Sequence, residues 1–244
     1  MPPAGAGAAS LRVLAISHQA DAGPGVFADE VRARGHSLDE WTLPDDPAPG
    51  EPGSYDAVMT FGGSMHADQE DRHTWLADEK RLLGELIEHR VPLLGVCLGS
   101  QLVAEAAGAP AERAPEPEIG WFEVELTAEG VSDPLLAPLA PRFTAFQWHS
   151  YRSPLPPGAV GLARSPAALQ AFRIGERAWG IQFHAEVTAR DAIGWAERYE
   201  EDERAVEIGL DPEAMVAAIR ERIGPWNDLG RALCGRFLDL AGRR

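Results

Sequence analysis

Short apolar runs alternate with amphipathic stretches along the first half of the chain. Residues 11–17 (LRVLAIS) read as a buried strand, followed by a Gly/Pro loop at 18–25 and a helical stretch at 26–34 that Gly35 closes. Strands are predicted at 37–43 and 57–61, with a Pro-rich loop at 45–53 between them, and the second of these runs into Gly62-Gly63. Over 75–90, Trp75, Leu76, Leu82, Leu83, Leu86 and Ile87 recur at helical spacing. Residues 93–96 read as a further buried strand and 98–107 as a helix ended by Gly108. Strands alternating with helices predict an α/β fold, an open and mostly parallel sheet with helices on both faces. The pattern then changes. Strand-like runs at 121–126, 142–148, 160–164, 169–174 and 178–183 follow in close succession and predict antiparallel hairpin strands added to the sheet. Three helices, at 188–206, 212–223 and 226–241, complete the chain, and the acidic run Glu200-Glu201-Asp202-Glu203 reads as a solvated helix face.

Composition narrows the setting. A chain of 244 residues with 45% hydrophobic and 25% charged residues fits one globular unit over 11–244, with residues 188–244 as its C-terminal helices. No repeat or long linker divides it. The stretch 91–103, interrupted by Pro92, Gly95, Gly99 and Gln101, is too short and broken to span a membrane, which needs about 20 apolar residues. Acids outnumber Lys and Arg by 38 to 22, a formal charge of −16 that repels phosphate backbones, so nucleic acid and anionic membranes are not expected as partners. Residues 1–10 carry no basic residue and no apolar core, unlike a secretory signal; they read as a disordered lead-in, and the location expected is cytoplasmic. Two cysteines, Cys97 and Cys234, make no disulfide framework.

The richest segment chemically is LLGVCLGSQ, residues 93–101. A buried strand runs into Gly95-x-Cys97-x-Gly99 and then a helix, the form of a nucleophile elbow with Cys in place of Ser. Such a turn lifts the sulfur to the carboxyl end of the sheet and to a helix N-terminus, which favours thiolate. A buried structural cysteine is the alternative reading. A nucleophilic Cys needs a base, and His184 stands just past an apolar strand in GIQFHAE, with Glu186 two residues on to orient its ring. No further His or Cys lies at ligand spacing nearby, so no metal is expected. Gln101, one helical turn beyond Cys97, reads by itself as a helix-capping or solvent-facing polar residue. His18, after the first strand, reads as a plain loop histidine, with a place at the entrance of the ligand face as the alternative, and His66 and His73 read as surface residues. Trp148 and Trp179 read as packing, and Cys234 as core.

Taken together, GVCLGSQ and FHAE resemble the class I, Cys-His-Glu glutamine amidotransferases, and in particular the glutaminase domain of GMP synthase. The segments at 61–65 (FGGSM), 75–80 (WLADEK), 118–121 (EIGW) and 146–149 (FQWH) are similar to that group as well. The likeness covers residues 11–186. It implies Cys97 as nucleophile, His184 as acid/base, Glu186 as the orienting acid, and the N–H groups of Gly63 and Leu98 as an oxyanion hole. It implies substrate contacts at Gln101 and around His149, Ser150 and Tyr151, and no cofactor. Two departures stand out. Ser64 occupies a position where the family commonly has Pro, and Ser150-Tyr151 replaces a common Gly-Asp beside the substrate head.

The chemistry implied is hydrolysis of a γ-glutamyl amide through a thioester on Cys97, on glutamine or on a larger γ-glutamyl amide or peptide. A glutaminase subunit feeding ammonia to a separate synthetase partner is the alternative, since no G-x-x-x-x-G-K-[ST] loop for a nucleotide occurs here. A non-catalytic binding relative is a third reading, opposed by the intact Cys97, His184 and Glu186.

Overall fold

The computed structural model describes residues 10–139 and 141–243; the proposed N-terminal lead-in lies outside these, apart from Ser10. Nine strands form one sheet in the order β2-β1-β3-β4-β9-β8-β7-β5-β6. Strands β1 (Arg12–Ser17), β2 (Ser37–Thr42), β3 (Ala57–Thr60), β4 (Leu93–Val96) and β9 (Ala178–Ile181) run parallel. Strands β5 (Glu112–Leu126), β6 (Arg142–Arg152), β7 (Val160–Arg164) and β8 (Leu169–Ile174) extend the sheet in antiparallel pairs.

Two apolar cores flank the sheet. On β1, Val13 and Ala15 join one, while Leu14 and Ile16 join the other, so every residue but the first is buried and the strand reads as an unbroken apolar run. Helices α1 (Gly25–Ala33) and α7 (Pro212–Ala241) cover the first core, α2 (Trp75–Glu88) and α3 (Leu98–Ala106) the second, and the short α4 (Ala128–Ser132) follows β5.

Three elements depart from the expectation. The strand expected at 121–126 begins at Glu112, because Pro115 and Pro117 sit where the β5–β6 register shifts, between Arg113 and Glu118; a bulge tolerates the missing N–H groups. The helix expected over 188–206 is broken into α5 (Ala189–Glu197), a 3₁₀ turn at Tyr199–Glu201 and α6 (Glu203–Glu207). The break falls at Asp202, which is extended and accepts the Arg204 and Ala205 N–H groups at 2.9 and 3.3 Å as the N-cap of α6. Conversely, the helices expected at 212–223 and 226–241 are one helix, α7, with Pro225 inside it. An interior proline costs about 3 kcal/mol or more. Ile219, Ile223, Trp226, Leu233 and Phe237 are buried along α7, at about 1.5–3 kcal/mol for each large apolar side chain, and outweigh it.

Candidate active site

Cys97 joins β4 to α3 with φ 53° and ψ −112°, a conformation that non-glycine residues rarely adopt. The neighbouring glycines make the turn possible. A Cβ on Gly95 would lie 2.6 Å from the Gly99 carbonyl oxygen, and one on Gly99 only 2.2 Å from that of Thr60. The Cys97 N–H donates to Ile181 O at 2.9 Å and the Gly99 N–H to Phe61 O at 2.9 Å, so both flanking strands hold the elbow in place. Such backbone strain costs on the order of 1–3 kcal/mol and persists where the surroundings over-determine it. The result is a nearly buried sulfur at the carboxyl end of β4 and the N-terminus of α3, making a long S–H···O contact of 3.8 Å with the Trp148 carbonyl.

His184 follows β9, the strand beside β4. Its N–H donates to Phe146 O at 2.9 Å, and its carbonyl accepts Trp226 Nε1–H from α7 at 2.7 Å. The next two residues are gripped as closely: a Cβ on Gly230 of α7 would lie 2.0 Å from Ala185 O, and Val26 N–H of α1 donates to Glu186 O at 2.8 Å. Nδ1 of His184 lies 2.8 Å from Glu186 Oε1, and both side chains are buried. Nε2 is buried with no hydrogen-bond partner among the described residues. Burial alone would lower the pKa of this imidazole; the negative charges of Cys97 and Glu186 outweigh it and hold the pKa well above 6.5. The Trp195 ring meets the His184 ring edge-to-face, with centroids 4.9 Å apart.

The Gly62-Gly63 loop after β3 closes over this pair. A Cβ on Gly62 would lie 3.2 Å from His184 Cε1 and 3.8 Å from Cys97 Cβ, and one on Gly63 3.1 Å from Leu98 Cδ2. Neither Gly63 N–H nor Leu98 N–H takes part in the turn, loop and cap bonds among the described residues. Cys97, His184, Gly63 and Leu98 share a cleft of about 740 Å³ with Gln101, His149, Ser150 and Tyr151. Gln101 is buried there and donates to Tyr151 O at 3.1 Å and Gln182 Oε1 at 3.2 Å. The His149 ring is engaged behind the wall, Nδ1 against Tyr151 O at 2.9 Å and Nε2 against Glu118 Oε2 at 3.1 Å. The sequence-predicted site residues therefore converge on one cleft, with Glu186 behind His184.

Other placements differ from the sequence reading. His18 is fully buried against Glu79 rather than loose in a loop. His66 lines the cleft, stacked on Tyr151 with centroids 4.0 Å apart. Trp148 also lines it, with Nε1–H donated to Asp202 Oδ2 at 2.9 Å. Glu201, Asp202 and Glu203 belong to the cleft wall with Trp195, Arg198 and Arg204, so this acidic run is not a plain solvated face. Nothing in the local pattern marks these C-terminal residues; the break at Asp202 turns them inward. Among the described residues no helix is long and apolar enough to cross a membrane, and no group of three or more His, Cys, Asp or Glu is placed to hold a metal ion.

Comparison with known proteins agrees with this geometry. The sequence profile of glutamine amidotransferase class-I matches residues 27–193. The chain belongs to the class-I glutamine amidotransferases. It is 28% identical over 190 residues to the glutamine amidotransferase-like protein YfeJ of Salmonella typhimurium, a match covering 75% of this chain and 79% of that one. It is 31% identical over 180 residues to the glutamine-hydrolyzing GMP synthase of the same organism, covering 68% of this chain but only 33% of the synthase. A crystal structure of a glutamine amidotransferase from Thermotoga maritima superposes with a TM-score of 0.84 at 29% identity, over 97% of this chain and 100% of that one. One from Methylobacillus flagellatus gives 0.81 at 25% identity, over 95% and 94%.

Proposed function

We infer that this class-I amidotransferase hydrolyses γ-glutamyl amides through a thioester on Cys97. The observation that carries the reading is the elbow cysteine at positive φ beside a buried His184–Glu186 pair whose Nε2 has no other partner. His184 Nε2 takes the Cys97 proton, and the Glu186 carboxylate 2.8 Å from Nδ1 steadies the imidazolium that results. The thiolate attacks the γ-carbonyl carbon, and the Gly63 and Leu98 N–H groups receive the oxyanion. The imidazolium gives its proton to the departing amine as the C–N bond breaks. Water, deprotonated by the same ring, then attacks the thioester; glutamate leaves and the thiol is restored. Glu186 holds the ring in the orientation and tautomer this requires.

The favoured substrate is a γ-glutamyl amine or peptide, with glutamine as runner-up. Clefts of about 300–1,000 Å³ enclose drug-sized ligands, and this one is far larger than glutamine fills. The Ser150-Tyr151 segment departs from the family's common Gly-Asp and carries an aromatic stack with His66 into the cleft. Delivery of ammonia to a synthetase partner is the competing role, favoured by the likeness to GMP synthase.

The test has two parts. A glutamine-like alkylating agent should label Cys97 and not Cys234, which is buried with a thiol pushed far up by desolvation, and Cys97→Ala should abolish turnover. Values of kcat/KM for a panel of γ-glutamyl amines and peptides should then exceed that for glutamine, each good leaving-group contact adding about 1–3 kcal/mol of discrimination. Turnover by Cys97→Ala refutes the nucleophile. Glutamine as best substrate, or activity only with an added synthetase, refutes the substrate class.

A further inference from the structure

His18 and Glu79 form a completely buried pair that the reaction above does not use. His18 directly follows β1, and each of its ring nitrogens faces an acceptor. Nδ1 lies 3.0 Å from the Gly62 carbonyl oxygen, and Nε2 lies 2.9 Å from Glu79 Oε2. A carbonyl oxygen cannot donate, so Nδ1 carries a hydrogen; a second proton sits between Nε2 and Glu79. The other Glu79 oxygen accepts the Thr60 hydroxyl at 2.7 Å, and the imidazole stacks on Trp75 with centroids 5.2 Å apart and planes 14° from parallel. The ring is thus a rigid donor aimed at a single peptide group.

That peptide is the one whose orientation matters. Gly62 and Gly63 carry no side chains to fix the plane between them, and glycine backbone rotates freely. The Gly62–Gly63 bond is trans, so its carbonyl and the Gly63 N–H point to opposite sides of one rigid plane. The carbonyl is held toward His18, on the flank where a Cβ on Gly63 would lie 3.1 Å from His18 Cβ. The same peptide borders the reacting pair, since a Cβ on Gly62 would lie 3.2 Å from His184 Cε1 and 3.8 Å from Cys97 Cβ.

We propose that His18 is a positioning residue: it clamps the Gly62 carbonyl so that the Gly63 N–H stays turned into the cleft, with Glu79 and Thr60 fixing the ring. The assignment rests on the proposed role of Gly63 in the oxyanion hole. A buried brace that only stabilises the fold is the competing role, and side-chain isosteres separate the two. His18→Gln sets an amide where Nε2 lies, keeping Glu79 and giving up Gly62. His18→Asn sets one where Nδ1 lies, keeping Gly62; combined with Glu79→Gln it leaves no unpaired buried carboxylate.

Removing an oxyanion donor costs on the order of 10²–10³ in rate, so His18→Gln, which only frees the peptide to rotate, should lower kcat by about tenfold or more. Binding of an unreactive substrate analogue should change by less than about threefold, since only the transition state uses the donor. His18→Asn/Glu79→Gln should stay within about threefold of the parent kcat. A crystal structure of His18→Gln should show the Gly62–Gly63 peptide rotated. Equal losses in both variants, or an unrotated peptide with unchanged kcat, overturn the clamp. Should His18→Gln fail to fold, Glu79→Leu alone takes away the hydrogen bond at Nε2 and loosens the ring: a fall in kcat without loss of analogue binding supports the clamp, and no fall overturns it. Turnover by Cys97→Ala would defeat the reading of the site, but the peptide orientation in the His18→Gln crystal would still decide whether His18 holds it.

Discussion

His184 sets the pH behaviour of the site. Burial works against its charge, while Cys97 and Glu186 work for it and win, so the folded-state pKa stands well above the ordinary 6.5. In the mechanism we propose, the imidazolium protonates the departing amine, so activity should fall on the alkaline side as pH rises through that raised value. Glu186→Gln removes one of the two charges responsible. The alkaline limb of kcat/KM should move to lower pH, with residual activity above that of His184→Ala, whose acid–base loss is about 10²–10⁴-fold. A limb that stays in place would show that Glu186 does not act on the imidazole. The same shift bears on stability. Since the folded value exceeds the unfolded one, the imidazolium stabilises the fold fully below pH 6.5 and progressively less as pH rises through the folded value. Raising the pH above 6.5 should lower Tm in the parent more than in His184→Gln. At this scale the sequence could single out Cys97, His184 and Glu186 as candidates because an elbow and a strand end are written in adjacent letters, and the fold brings the three together. The role of His18 was not legible: Glu79, the partner that buries it, is 61 residues away and sits inside an ordinary amphipathic pattern.

Between elements, α7 packs directly on the segment that carries His184. A Cβ at Gly230 would meet the Ala185 carbonyl oxygen at 2.0 Å, backbone against backbone, and neither side has a flexible tip to swing away. Gly230→Ala should therefore displace the His184 segment, lowering Tm by several degrees and kcat by about tenfold or more, as misplacements of about 1 Å do. Gly84→Ala in α2 is the control. Its Cβ would meet Ala106 O at an ordinary 4.0 Å, and helix propensity favours Ala by about 0.5–1 kcal/mol, so Tm should hold or rise with kcat unchanged. Parental kcat in Gly230→Ala would mean that α7 does not position the histidine. The parallel strands β1, β3, β4 and β9 were readable because burial on both faces leaves them almost wholly apolar. The continuity of α7 was not, since Pro225 reads as a stop and only the buried stripe on both sides of it, supplied by the rest of the fold, carries the helix through.

The cleft draws on nearly the whole length of the molecule: Gln19 and Asp21 after β1, the elbow, the end of β6, and residues 195–204. Arg198 and Asp21 close one rim through an ion pair at 2.5 Å. The motifs named the lining around Cys97, Gln101 and His184; they did not name the outer wall, which depends on where a helix breaks rather than on any motif. Asp202, at the break, joins two tasks. One oxygen caps α6, and the other holds Trp148 in the wall. A helix of five residues has no stability of its own, and loss of a capping side chain costs about 1 kcal/mol. Fraying of α6 and loosening of the wall are therefore one opening equilibrium, and whatever fills the cleft must draw it toward closure by mass action. Amide hydrogen exchange across residues 203–207 should slow when an unreactive γ-glutamyl analogue binds, while Asp202→Ala should speed that exchange and raise KM several-fold with kcat nearly unchanged. Exchange that ignores the ligand would separate the two events. If it responds, a short helix far from the elbow in sequence becomes a gauge of occupancy, readable without any turnover.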